Sequence, residues 1–120
     1  MDGTTPNRYR FQAAVERPLS AVFRAPDGSW EGHDYRVEVV TERQGLDACD
    51  VVMDFRRLEA ALDALLAPLR GRMLPEIGLE GPLDLARRVM LELAPKVPAP
   101  ARIAEVALTD GRGRRISLRP

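Results

Sequence analysis

The sequence predicts an α+β domain: a four-stranded antiparallel sheet in the order strand, strand, helix, helix, strand, strand, with both helices on one face. Three observations point there. Residues 8–15 and 33–40 alternate apolar and polar side chains with period two, the mark of half-buried strands. Residues 55–69 and 86–93 place apolar side chains at three- and four-residue spacing, the stripe of an amphipathic helix. Turn chemistry at Pro26-Asp27-Gly28-Ser29 and Asp110-Gly111-Arg112-Gly113 separates strand from strand.

In chain order, the first strand sets Tyr9, Phe11, Ala13 and Val15 on one face and Arg8, Arg10 and Gln12 on the other. The second carries His33, Tyr35, Val37 and Val39 opposite Asp34, Arg36, Glu38 and Val40, and polar residues 41–50 read as a loop. Asp54 has the chemistry of an N-cap, because its carboxylate can accept from the free amides of the following turn. Behind it Phe55, Leu58, Leu62, Leu65, Leu66 and Leu69 form one stripe, which Pro68 ends or kinks. Residues 71–81 read as irregular. Pro82 suits the first position of a second helix, whose stripe is Ala86, Val89, Met90 and Leu93. Pro95, Pro98 and Pro100 stop it. Residues 101–109 form a third strand, with Val106 and Leu108 facing away from Glu105 and Thr109, and residues 114–119 a fourth carrying Ile116 and Leu118. Such a sheet has two open edges, a hazard that assembly into an oligomeric barrel removes.

Composition narrows the function. The chain has 120 residues, with 18 basic and 18 acidic side chains and no net charge. That suits one domain over residues 8–120 behind a tail at 1–7, and gives no footprint for nucleic acid or an anionic membrane. No apolar run approaches the roughly 20 residues needed to span a bilayer, and the N-terminus lacks the features of a secretory signal, so a cytoplasmic protein is expected. Cys49 is the only cysteine and His33 the only histidine, which excludes a disulfide and any multi-histidine metal centre within one chain. All basic residues but Lys96 are arginine, a bias that has GC-rich coding as its bland cause and bidentate pairing with carboxylates or phosphates as its functional one; composition alone does not choose between them.

Three local motifs, in order, resemble the 6-pyruvoyltetrahydropterin synthase and 6-carboxytetrahydropterin synthase family. Its first strand ends Phe-x-Ala-Ala-His, where this chain has Phe11-Gln12-Ala13-Ala14-Val15. Its second carries His-Gly-His-x-Tyr-x-Val, answered by Glu31-Gly32-His33-Asp34-Tyr35-Arg36-Val37. Its Gly-Met-Val-x-Asp-Phe-x-x-Leu-Lys segment is met by residues 51–59, with Asp54, Phe55 and Leu58 retained. The resemblance implies the T-fold, in which subunits join their sheets into barrels, with active sites at subunit interfaces and assemblies built from trimers.

It also implies a chemistry that this chain lacks. The family rearranges or cleaves the side chain of dihydroneopterin triphosphate using a zinc ion on three histidines, two on the second strand and one from the end of the first. Carried over, those positions are Val15, Glu31 and His33. Glu31 and His33 share a strand face, but valine offers no lone pair, so no zinc is expected. The catalytic cysteine falls at Asp27, a far weaker base than a thiolate. Where the family has Leu-Asp-His after the first helix, this chain has Leu69-Arg70-Gly71. The Glu-Thr pair that holds the pterin reads Leu108-Thr109, unless a register with a longer hairpin brings Glu105 there.

The leading expectation is a degenerate family member that keeps the fold as a binding or assembly module, as a homo-oligomer (trimer or hexamer) or with an active paralogue. A second is a repurposed, zinc-independent enzyme with a small-molecule ligand. Asp27, Glu31 and His33 would then line the former site, with Glu31 or Asp27 as base and Arg70 and Arg72 gripping an anion. A third is an active pterin synthase completed by an unusual metal set or by partner residues.

Overall fold

The computed structural model describes residues 9–46 and 51–120; the tail at 1–7, Arg8 and Cys49 lie outside the described residues. The order is β1 (Arg10–Arg24), β2 (Trp30–Gln44), α1 (Phe55–Leu66), α2 (Pro82–Leu93), β3 (Arg102–Thr109) and β4 (Arg115–Leu118). The four strands form one antiparallel sheet in the order β1-β2-β3-β4, and both helices pack on one face.

The first hairpin is far longer than the alternation suggested. β1 runs on to Arg24 through Arg17 and Pro18, and β2 on through Thr41–Gln44, where a loop was expected. Three local solutions make this possible. Arg17 points toward the helices, and α1 answers it: its guanidinium reaches Asp63 at 2.8 Å and Glu59 at 3.1 Å. Pro18 is tolerated because β1 is an edge strand, where a missing N–H need not break a ladder. Thr41 is fully buried and donates to the Ala13 carbonyl at 3.0 Å, while Glu42 accepts from Arg102 at 2.6 Å and Arg10 at 3.3 Å. Polar side chains that look like loop residues are thus paired inside a strand.

The register is unbroken across the hairpin, from Arg24↔Trp30 to Arg10↔Gln44. Odd-numbered residues of both strands face the helices: Val15, Leu19, Ala21 and Phe23 on β1, Tyr35, Val37 and Val39 on β2. A bulge interrupts β2 against β3, where Val40 pairs with Glu105 but Thr41 with Ile103. It lets Ile103 enter the core although Glu105, two residues on, lies on the outer face with Glu38, both 3.4 Å from Arg115.

Asp54 caps α1 as its chemistry requires, accepting from the Arg56 amide at 2.9 Å. Leu58, Leu62 and Leu66 form the buried stripe, and Leu69 continues it as the last residue of a 3-10 turn that contains Pro68. Phe55, expected in the stripe, is 49% exposed, since the first residue of the helix lies beside the sheet margin. In α2 the stripe is Leu85, Ala86, Val89 and Leu93, with Met90 at its border. The stretch 71–81 contains a 3-10 turn, Leu74–Ile77, that drives Leu74 fully into the core. No helix among the described residues is long and apolar enough to cross a membrane.

Leu62 has no solvent exposure, so Leu62→Ala is expected to lower the unfolding free energy by about 2–5 kcal/mol through lost contacts and a residual cavity. Leu91 is 74% exposed, and Leu91→Ala should change it by under about 0.5 kcal/mol. Urea titrations of the two variants should separate them clearly.

Candidate functional site

The site is assembled where two hairpin turns meet the end of the helix layer. The first turn, Pro26-Asp27-Gly28-Ser29, is closed by Ala25 N–H donating to the Ser29 carbonyl at 2.7 Å, with Gly28 left-handed at φ 88°. Asp27 shapes this turn, accepting from the Ser29 hydroxyl at 2.6 Å and its amide at 2.9 Å. Those bonds, the hydroxyl first, hold its carboxyl below the usual value of 3.8, which weakens it further as a base. It does not line the cavity described below.

Beyond the turn, Glu31 and His33 emerge on the helix-facing side of β2. His33 Nε2 lies 2.6 Å from Glu31 Oε1. The carboxylate is held below its usual value of 4.5, by the His33 bond first and then by Arg114, so it is ionised at neutral pH and accepts; Nε2 carries the hydrogen. The His33 ring also stands edge-to-face against Tyr35, which in turn meets Phe23 edge-to-face, each pair with centroids 5.6 Å apart. Burial pushes the Tyr35 phenol up to about 12, with the Asp110 and Glu31 charges adding to it, so it stays protonated.

The second turn brings the positive charge. Asp110 accepts from the amides of Arg112 at 2.8 Å and Arg114 at 3.0 Å, and from Arg114 Nε at 2.6 Å. Burial alone would raise the Asp110 carboxyl, but those amides and the guanidinium outweigh it and hold it below 3.8. Arg114 Nη2 then donates to Glu31 Oε1 at 3.0 Å, and its own pKa is raised by Asp110 first and Glu31 second. Beside this cluster is a cavity of about 300 Å³ whose apolar walls include Phe23, Tyr35, Leu108, Ile116 and Pro82.

Of the residues singled out from the sequence, the structure brings together Glu31, His33 and Leu108. Val15 is not with them: it pairs with Val39, whereas Ala21 pairs with His33, six residues or about 20 Å along the strand. Because β1 ends at Arg24, the residue facing Glu31 from its end is Phe23. Arg70 donates to the Pro18 carbonyl at 2.9 Å, and the Arg72 carbonyl accepts from Val22 N–H at 3.1 Å. Both serve the outer edge of β1, and neither lines the cavity. Thr109 pairs with Arg36, and Glu105 with Val40, on the face away from the helices. The donor set therefore does not fit a three-ligand zinc centre: phenylalanine offers nothing, Arg114 donates to the same Glu31 oxygen that His33 faces, and no three His, Cys, Asp or Glu among the described residues group to hold a metal. Phe23, Asp110 and Arg114 were not read as site residues. Counting outward from the turn centred on Asp27 would have found Phe23; nothing local marks Arg114, 83 positions from Glu31.

Comparison with known proteins supplies a frame. The family model described as 6-pyruvoyl tetrahydropterin synthase matches residues 10–120. Among solved structures, the 6-pyruvoyl tetrahydropterin synthase of Caenorhabditis elegans superposes with a TM-score of 0.73 at 14% identity, covering 93% of this chain and 96% of that one. The Plasmodium vivax 6-pyruvoyl tetrahydropterin synthase gives 0.69 at 13% identity, over 93% and 98%. The uncharacterised Wolinella succinogenes protein WS1659 gives 0.68 at 13%, over 92% and 98%. At these identities the likeness is one of fold. No curated protein matches in sequence.

Asp110 supplies a pH prediction. A carboxyl whose folded pKa is depressed stabilises the fold above its unfolded value and loses that contribution as pH falls through the folded one. Denaturant unfolding of the native chain and of Asp110→Asn should therefore differ most above about pH 4 and converge as the solution is acidified below it. A gap that widens on acidification would contradict this assignment.

Proposed function

The chain belongs to the 6-pyruvoyl tetrahydropterin synthase family, and we propose that it is a catalytically degenerate member that keeps the T-fold as an oligomeric binding or assembly module. One observation carries this reading: at the end of β1, where a third donor would have to stand facing Glu31 and His33, the chain has Phe23. A zinc centre needs three protein ligands, and an aromatic ring supplies none. The surrounding groups give no substitute. Tyr35 stays protonated, Asp27 is spent on its turn, and Leu108 offers an apolar wall where a carboxylate would anchor a pterin. The repurposed-enzyme reading needs Asp27, Glu31, His33, Arg70 and Arg72 around one ligand; Arg70 and Arg72 instead sit on the β1 edge.

Assembly is supported separately. The radius of gyration is 16.3 Å, against the roughly 13–14 Å of a compact domain of this length. Helices cover one sheet face only. Along its outer edge β1 has a partner at Val22, which bridges to Met73, and no strand beside Arg10–Pro18 among the described residues. Pairing that edge with another copy satisfies its backbone groups.

Two experiments test the proposal. Incubation with dihydroneopterin triphosphate should give no 6-pyruvoyl or 6-carboxy product above background, and turnover that survives repurification would overturn it. Light scattering at micromolar concentration should report about three or six times the 13.3 kDa chain mass. A 13.3 kDa species with a cooperative thermal transition would remove the assembly part.

A further inference from the structure

We infer that the cavity beside Glu31 takes a small, neutral, one- or two-ring molecule carrying a hydrogen-bond acceptor, and that Tyr35 is the residue that selects it. The inference rests on the degenerate reading above and deepens its binding half by naming a ligand class. Tyr35 lines the cavity and is 5% exposed, yet among the described residues its hydroxyl has no hydrogen-bond partner. The only sealed side-chain nitrogen or oxygen without a partner among the described residues is Arg43 Nε, so the Tyr35 oxygen is open to the cavity. The phenol stays protonated at neutral pH and offers its hydrogen. A hydroxyl in so buried a place is costly to leave unpaired, and an acceptor brought in by a ligand removes that cost.

The surroundings set the other features of the ligand. Phe23, Leu108, Ile116 and Pro82 give apolar walls, and about 300 Å³ is at the lower end of small-molecule sites. Phe23 already meets Tyr35 edge-to-face, and a flat ring placed against them makes offset or edge contacts of the same kind. The charges lining the cavity are committed elsewhere. Glu31 and Asp110 share Arg114, while Arg24 lies 4.3 Å from the Trp30 ring centroid and donates to the Gly28 carbonyl at 3.3 Å. Two carboxylates and two guanidiniums cancel, so neither an anion nor a cation would find an uncompensated partner for its charge. Selection therefore falls to the polar group left uncommitted, the Tyr35 hydroxyl.

Equilibrium dialysis of the full-length protein with two probes tests this. Coumarin is neutral, with two fused rings and one exocyclic carbonyl; naphthalene is of similar size and has no acceptor. The native chain should bind coumarin saturably, with a dissociation constant below about 1 mM, and more tightly than naphthalene. Tyr35→Phe keeps the ring packing and removes only the hydroxyl. It should weaken coumarin about three- to tenfold and leave naphthalene within about twofold. Ile116→Asp, at a wall residue 37% exposed and so tolerant of change, should weaken both probes by setting a charge in the cavity. Far-UV circular dichroism checks that each variant is folded, and either variant alone can decide. Absence of saturable coumarin binding, equal coumarin affinity in Tyr35→Phe, or unchanged binding in Ile116→Asp would each overturn the inference. All three leave the degenerate reading standing, since it rests on Phe23; turnover of dihydroneopterin triphosphate would remove that reading instead.

Discussion

The register of the β1–β2 hairpin is the constraint on which the rest of the structure depends. It is set at one turn, and an unbroken ladder carries it to the far end of both strands. Because side chains alternate with period two, a slip of one residue would turn Leu19, Phe23, Tyr35 and Val37 out of the core and put Ser20, Asp34 and Arg36 into it. The helices add to this choice. Arg17 is an inward charge acceptable only where α1 presents Asp63 and Glu59, so the docking of α1 and the register of β1 reinforce each other. The position of Phe23 opposite Glu31 follows from the same constraint, and with it the loss of the third donor.

Electrostatics here work by pairing at the margin of a dry layer. The carboxylates of Glu31 and Asp110 share the single guanidinium of Arg114 beside the apolar walls of the cavity. Ion pairs this open to water contribute little to stability individually. Their consequence is geometric: they set which nitrogen of His33 bears its hydrogen and which oxygen of Glu31 is taken. On the outer face a second set, Glu42 with Arg10 and Arg102, and Glu105 and Glu38 with Arg115, allows a charged sheet surface beside the buried Val40 and Ala107.

Much of the fold was legible because its signals are local. The Asp54 cap, Pro82 at the start of α2, both turns and the order of elements follow from short-range chemistry and periodicity. What escaped depends on distant partners. Glu16-Arg17-Pro18 reads as the end of a strand until α1 is seen to answer Arg17, and Thr41–Gln44 reads as a loop until Ala13, Arg10 and Arg102 are seen beside it. Stopping β1 at Val15 then displaced the whole first-strand contribution to the site, although the pairing of Glu31 with His33 was clear from their spacing. Arg114 has no local signature, since an arginine after a glycine turn is ordinary; only the ladder through β3 brings it to β2.

The same contact has an order in time. The bond between Asp110 and Arg114 spans four residues and forms within one turn, whereas that between Arg114 and Glu31 joins residues 83 positions apart. On a ribosome, Glu31 is made 83 positions before the arginine that donates to it. Until the β3–β4 hairpin docks, the nascent chain carries a carboxylate and an imidazole side by side without the guanidinium that donates to the carboxylate. Completion of the site thus waits for the β3–β4 hairpin, and a chain interrupted before Arg114 differs from a longer one in the chemistry it presents as well as in its shape.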